Sequence, residues 1–164
     1  MHDDSTDLAD RDPRSFLKQM RQLLIGDMFP NVPLDDKSTV HDLITDHLIM
    51  LVVSTGCDAC LPTLEALDDI LNRELEGGFN LRVALIFDTE ESKFAQLAAY
   101  YRDRALPFRL DGHTITHRLH TYGLPWGYSL NEVGQILISQ AVPGEDAIRE
   151  LIRPFVLARG LHAG

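Results

Sequence analysis

Six consecutive apolar residues, Leu48 to Val53, lead into Cys57-Asp58-Ala59-Cys60. An unbroken apolar run of this length reads as a strand buried on both faces. Beyond it Cys60, Leu64, Leu67 and Leu71 recur at i, i+4, i+7 and i+11, the spacing of one helix stripe. Gly77-Gly78 ends that pattern, and Leu81 to Phe87 is a second apolar strand. Two buried strands joined through a helix form a right-handed β-α-β unit with parallel strands, which makes this an α/β chain.

The cysteines at the strand-to-helix junction are the only two in the chain. A C-x-x-C at that place is the arrangement that exchanges a dithiol for a disulfide. Unpaired N–H groups of a first helical turn favour negative charge, so Cys57 is expected to reach the thiolate more easily than a free cysteine and to act as the attacking sulfur. Cys60 shares the stripe of three leucines and is expected to be the shielded, resolving thiol. A zinc centre needs four ligands, and no second cysteine pair exists. A purely structural disulfide closing so short a loop constrains the unfolded chain little.

The 164 residues, 45% of them apolar, suffice for a single core. A formal net charge of -10 repels nucleic acid and anionic lipid, so neither is an expected partner. The run Leu48 to Val53 is too short to span a bilayer. The acidic start Met1-His2-Asp3-Asp4 lacks a basic leader region, which points to a cytoplasmic placement, or to an extracytoplasmic one if a leader is missing.

Residues 1–25 are expected to form an acidic tail and a short helix, with Asp12-Pro13 at its start and Phe16, Met20, Leu23 and Leu24 as its apolar stripe. Residues 26–164 form the main domain. Positions 27–47, with Pro30, Pro33 and Asp35-Asp36, read as a turn-rich lead-in whose apolar pieces pair as edge strands. Asp88 or Thr89 caps a helix with Phe94, Leu97, Ala98 and Tyr101 on one face. Leu106 to Leu110, with Pro107, is an edge strand. Tyr128 to Leu130 and Gln135 to Ser139 flank a hairpin at Asn131-Glu132-Val133-Gly134. A last helix follows Gly144, with Ile148, Leu151, Ile152 and Phe155 inward and Pro154 kinking its end.

Three further segments accompany the C-x-x-C: Gly26-Asp27-Met28-Phe29-Pro30, Leu106-Pro107-Phe108-Arg109-Leu110-Asp111 and Tyr122-Gly123-Leu124-Pro125. With the element order, they resemble the thioredoxin-like superfamily, in the branch shared by TlpA-like thiol-disulfide reductases and peroxiredoxins. The resemblance runs from about residue 26 to residue 157. It implies a thioredoxin-like fold, a central mixed sheet flanked by helices, here with an extra N-terminal helix. It also implies a thiol-disulfide oxidoreductase, with no bound cofactor, that acts on protein disulfides or dithiols and draws on an electron-donating or electron-accepting redox partner. Pro125 is implied to be the cis-proline beside Cys57 and Cys60, with Trp126 either helping to dock substrate or packing in the core.

The chain departs from the pattern at four positions. Gly56 and Trp126 stand where tryptophan and threonine are common, Leu51 where thioredoxins place a buried carboxylate, and Thr63 where TlpA-like reductases carry glutamate. Glu65 and Asp58 are the alternative carboxylates, so proton handling stays unassigned. A peroxiredoxin-like thiol peroxidase, with antioxidant activity, is the first alternative. Its P-x-x-x-[ST]-x-x-C signature would need proline at Met50 and is matched only at Ser54. The second alternative is a metal or heme-protein handling module, because His113, His117 and His120 would share one face of a helix.

Overall fold

The computed structural model describes residues 23–76 and 80–158. Its strands are β1 (His47–Ser54), β2 (Val83–Asp88), β3 (Leu106–Arg109), β4 (Trp126–Asn131) and β5 (Ile136–Ala141). Its helices are α1 (Cys60–Glu76), α2 (Glu91–Tyr101), α3 (Gly112–His117) and α4 (Glu145–Ala158). The five strands form one sheet in the order β3-β2-β1-β4-β5. β1 lies parallel to β2 and antiparallel to β4, β2 is parallel to β3, and β4 is antiparallel to β5. The sheet is therefore mixed, with the expected parallel β-α-β unit as its centre.

The six-residue apolar run is explained by position: β1 has a strand on each side and a packed layer on each face. Ile49, Leu51 and Val53 point to a core shared with Cys60, Leu67 and Leu71 of α1 and Ile148, Leu151 and Phe155 of α4. Leu48, Met50 and Val52 point to a second core on the opposite face.

That second core corrects the reading of residues 27–47. The lead-in forms no edge strands. It makes two isolated bridges, Met28 with Gln135 and Pro33 with Thr39, and a 3-10 turn over His41–Leu43. Phe29, Val32, Leu34, Val40 and Leu43 all face the sheet. A face of this size with only the short α3 to shield it needs cover, and the irregular segment supplies it. The His41 Nε2–H donates to the Phe29 carbonyl at 2.6 Å, and the Val40 N–H donates to the Val32 carbonyl at 3.0 Å, so the backbone of this cover is tied down without strands.

Other elements follow the residue pattern with shifted ends. The second strand begins at Val83 and extends through Asp88. The expected side-chain cap of α2 is absent: the helix begins at Glu91, so Glu90 and not Asp88 or Thr89 occupies the cap position, without a side-chain bond, and the Thr89 hydroxyl pairs with that of Thr55 at 2.8 Å. β3 is an edge strand that accommodates Pro107. The β4-β5 turn is built by Asn131, whose Oδ1 accepts from the Val133 and Gln135 N–H groups at 3.1 and 2.9 Å, and by Gly134 at φ 89°. α4 continues through Pro154 to Ala158. The short N-terminal helix and the Gly77-Gly78 stop lie outside the described residues. Among the described residues no helix is long and apolar enough to cross a membrane.

Candidate functional site

At the end of β1 the chain turns sharply before α1. The Gly56 N–H donates to Ser54 Oγ at 3.1 Å, the Cys57 N–H to the Ser54 carbonyl at 3.3 Å, and the Cys60 N–H to the Cys57 carbonyl at 3.1 Å. Asp58 and Ala59 complete the turn, and Cys60 is the first helical residue. Cys57 consequently sits on the lip of the turn, partly exposed, while Cys60 faces the core with 1% of its surface accessible. Both are free thiols. Thr55 anchors the turn to the end of β2, its N–H donating to the Asp88 carbonyl at 3.3 Å.

The third expected site residue lies beside them, although it is far away in sequence. The Leu124–Pro125 peptide bond is cis, and the Leu124 carbonyl oxygen is 3.9 Å from Cys57 Sγ, which donates toward it. An open groove of about 330 Å³ lies next to Leu124, walled by Ala59 just before α1 and Pro62 in its first turn, by Leu124, Pro125 and Trp126, and by Ala141 at the end of β5 and Pro143 beyond it. Trp126 takes the core-packing position and also lines the groove. Its ring packs on the second core, its indole N–H donates to Ser139 Oγ at 3.0 Å, and its edge borders the groove.

The electrostatics separate the two sulfurs. Burial, then the hydrogen bond and charge of Cys57, push the Cys60 thiol up to about 12, against an opposing contribution from the Ser54 backbone. Cys60 therefore keeps its proton at neutral pH. If it must ionise to resolve a mixed disulfide on Cys57, that step is expected to accelerate about tenfold per pH unit between roughly pH 7 and 9, as its thiolate fraction does below the pKa. Rapid-quench measurement of mixed-disulfide decay checks this, and a flat profile would contradict it.

The positions expected to handle protons are accounted for differently. Leu51 is fully buried in the first core, with no polar atom to offer. Thr63 is fully buried, and its hydroxyl donates to the Val142 carbonyl at 2.5 Å. Glu65 and Asp58 are exposed. Val142 and Pro143 went unnoticed in the sequence, because no periodicity marks a loop that reaches the cysteines only through the folded sheet.

No family profile matches the chain, and no curated protein matches it in sequence. Solved structures do match. A thioredoxin-like protein from Bacteroides caccae superposes with a TM-score of 0.64 at 20% identity, covering 90% of this chain. The chain spans 56% of that protein's length. The thioredoxin domain of a thiol-disulfide oxidoreductase from Bacteroides vulgatus gives 0.61 at 16% identity, covering 82% of this chain and 99% of that domain. The fold is thioredoxin-like. A thio-disulfide isomerase from Thermus thermophilus, at TM-score 0.58 and 18% identity, covers 84% of this thioredoxin-like chain and 98% of its own length.

The histidine face is not formed in this thioredoxin-like chain. α3 is capped by Asp111, whose carboxylate accepts from the Thr114 N–H at 2.7 Å, and ends at His117. The His113 and His117 rings pack with centroids 4.4 Å apart at a tilt of 43°, but His120 lies beyond the helix at φ 52°. Leu119 is drawn into the second core and the Thr121 N–H returns to the Ile115 carbonyl at 3.1 Å, which bends the chain out of helical register. Among the described residues no group of three or more His, Cys, Asp or Glu side chains is placed to hold a metal.

Proposed function

We propose that this thioredoxin-like chain is a thiol-disulfide oxidoreductase that exchanges the Cys57/Cys60 dithiol for a disulfide on a protein partner. The observation that carries the reading is the asymmetry of the pair: one thiol is partly exposed beside the Leu124 carbonyl, whose residue lines an apolar groove, and the other is buried. The Cys57 thiolate attacks one sulfur of the substrate disulfide, forming a mixed disulfide and releasing the other substrate sulfur as a thiolate that takes up a proton. Cys60, deprotonated, attacks Cys57 Sγ, the intramolecular disulfide forms, and the second substrate thiol leaves. Two electrons pass to the substrate, and a dithiol donor must return them; run backwards, the same steps oxidise a partner dithiol. The chain's own Cys57/Cys60 dithiol carries the two electrons and becomes the disulfide when it gives them up, with no bound cofactor.

The test is reduction of insulin disulfides in the presence of a dithiol donor, with turnover dependent on Cys57. Hydrogen peroxide, by contrast, is expected to be consumed no faster than by an ordinary exposed thiol. The position that the peroxidase signature reserves for proline is Met50, buried in the middle of β1, where the backbone is strand and not loop. Fast peroxide turnover that is lost in Cys57→Ser, with insulin untouched, would replace this reading by the peroxidase one.

A further inference from the structure

The groove beside Cys57 has walls from three segments far apart in sequence: the start of α1, the Leu124-Pro125 stretch, and the loop after β5. Two hydrogen bonds join the three. The buried Thr63 hydroxyl, one turn along α1 from Cys60, donates to the Val142 carbonyl at 2.5 Å. The Val142 N–H in turn donates to the Pro125 carbonyl at 3.1 Å. Val142 is itself fully buried, so water is not at hand to replace either partner. Pro143, the next residue, has no N–H of its own with which to fasten the loop. The hydroxyl of Thr63 thus ties the helix that carries Cys60 to the loop, and the loop to the segment that faces Cys57.

We infer that Thr63 is a positioning residue for the exchange reaction: acting through Val142, it holds the Pro125 wall at the distance from α1 at which a polypeptide disulfide can lie in the groove and reach Cys57. The inference rests on the oxidoreductase reading above. Valine at this position keeps the shape and loses the donor, which leaves the Val142 carbonyl buried without a partner and releases the loop. Serine keeps the donor. A residue that supports only folding would lower all reactions together, whereas one that sets the groove affects only substrates that need it.

The test compares wild type, Thr63→Val and Thr63→Ser on insulin and on 5,5'-dithiobis(2-nitrobenzoate), a small disulfide that reaches Cys57 without filling the groove. In Thr63→Val the KM for insulin is expected to rise about tenfold with kcat within about twofold, while the small disulfide reacts within about twofold of wild type. Thr63→Ser is expected to restore the insulin KM. Amide exchange gives a readout independent of turnover: the Val142 N–H should exchange at least about tenfold faster in Thr63→Val, beyond any change in the amides of β1, and not in Thr63→Ser. If Thr63→Val does not fold, Thr63→Ala carries the same comparison. An unchanged insulin KM, an equal fall on both substrates, or unchanged Val142 exchange overturns the inference while leaving the oxidoreductase reading in place. A wild type inactive on insulin overturns that reading, and the positioning role of Thr63 with it.

Discussion

Cys57→Ser is expected to abolish disulfide exchange completely, and Cys60→Ser to accumulate a covalent mixed disulfide between Cys57 and the substrate. The expectation comes from where the two sulfurs sit. Cys57 is the one a substrate can reach, in the turn before α1 and next to the groove. Cys60 is buried in the core between α1 and the sheet, out of reach of a free substrate, and is placed to meet a sulfur already bonded at Cys57. Removing the first leaves no attacking group; removing the second leaves an intermediate that nothing inside the protein can cleave. Non-reducing electrophoresis and mass measurement of the trapped adduct decide the matter. Equal trapping by both variants would reverse the assignment of roles. In the reduced wild type, alkylation should label Cys57 first, by the same argument.

Gly127→Ala is expected to be the most damaging single methyl addition near the site. Gly127 lies on β4, opposite Leu51 of β1 and Gln140 of β5, two residues after Pro125. A Cβ there would stand 2.5 Å from Leu151 Cδ1, 2.7 Å from Val142 Cγ2 and 3.2 Å from Leu51 Cδ2. All three neighbours are fully buried, so each has to move against packed atoms. Overpacking of this kind costs about 1–3 kcal/mol, a large share of the roughly 5–15 kcal/mol that holds a domain together. Because Val142 is one of the displaced residues, insulin reduction should fall more than the reaction of Cys57 with a small disulfide. Urea denaturation measures the stability loss; a shift under about 0.5 kcal/mol would show that the core relaxes around the methyl at little cost.

The contrast between these two predictions reflects what could be read from the chain alone. The exposure of Cys57 and the burial of Cys60 were legible because helical spacing sorts side chains into inward and outward sets without reference to the rest of the fold. β1 and β2 were legible for a similar reason: a strand buried on both faces has to be apolar throughout. Gly127 carried no such signal. Nothing in its neighbours states that Leu151 of α4 and Val142 will close over it, since those contacts span the chain.

The same division explains the misreadings. The segment 27–47 holds Phe29, Val32, Leu34, Val40 and Leu43 at irregular intervals, so no period distinguishes a strand from a cover. The face of the sheet it must cover exists only once β1, β2 and β4 have paired. The histidine face failed because a helix period predicts direction but not length: α3 ends at His117, where the burial of Leu119 and the bond from Thr121 to Ile115 outweigh one more turn of helix. The expected cap of α2 failed because the helix begins at Glu91, which puts Glu90 at the cap position and leaves Thr89 before it, paired with Thr55 on the far side of α1 in sequence.

By itself the sequence determined the α/β class, the central β-α-β unit, the thiol pair at its strand-to-helix junction and the order in which the two sulfurs are exposed. These depend on local spacing, and local spacing is written in neighbouring residues. The tertiary structure decided what surrounds the thiols: the Leu124-Pro125 carbonyl beside Cys57, the groove with its three walls, the Thr63–Val142–Pro125 connection beneath it, and the parting of His120 from His113 and His117. Each of these depends on hydrogen bonds and packing between segments tens of residues apart, and such contacts acquire their geometry only when the sheet has closed and both of its faces are covered.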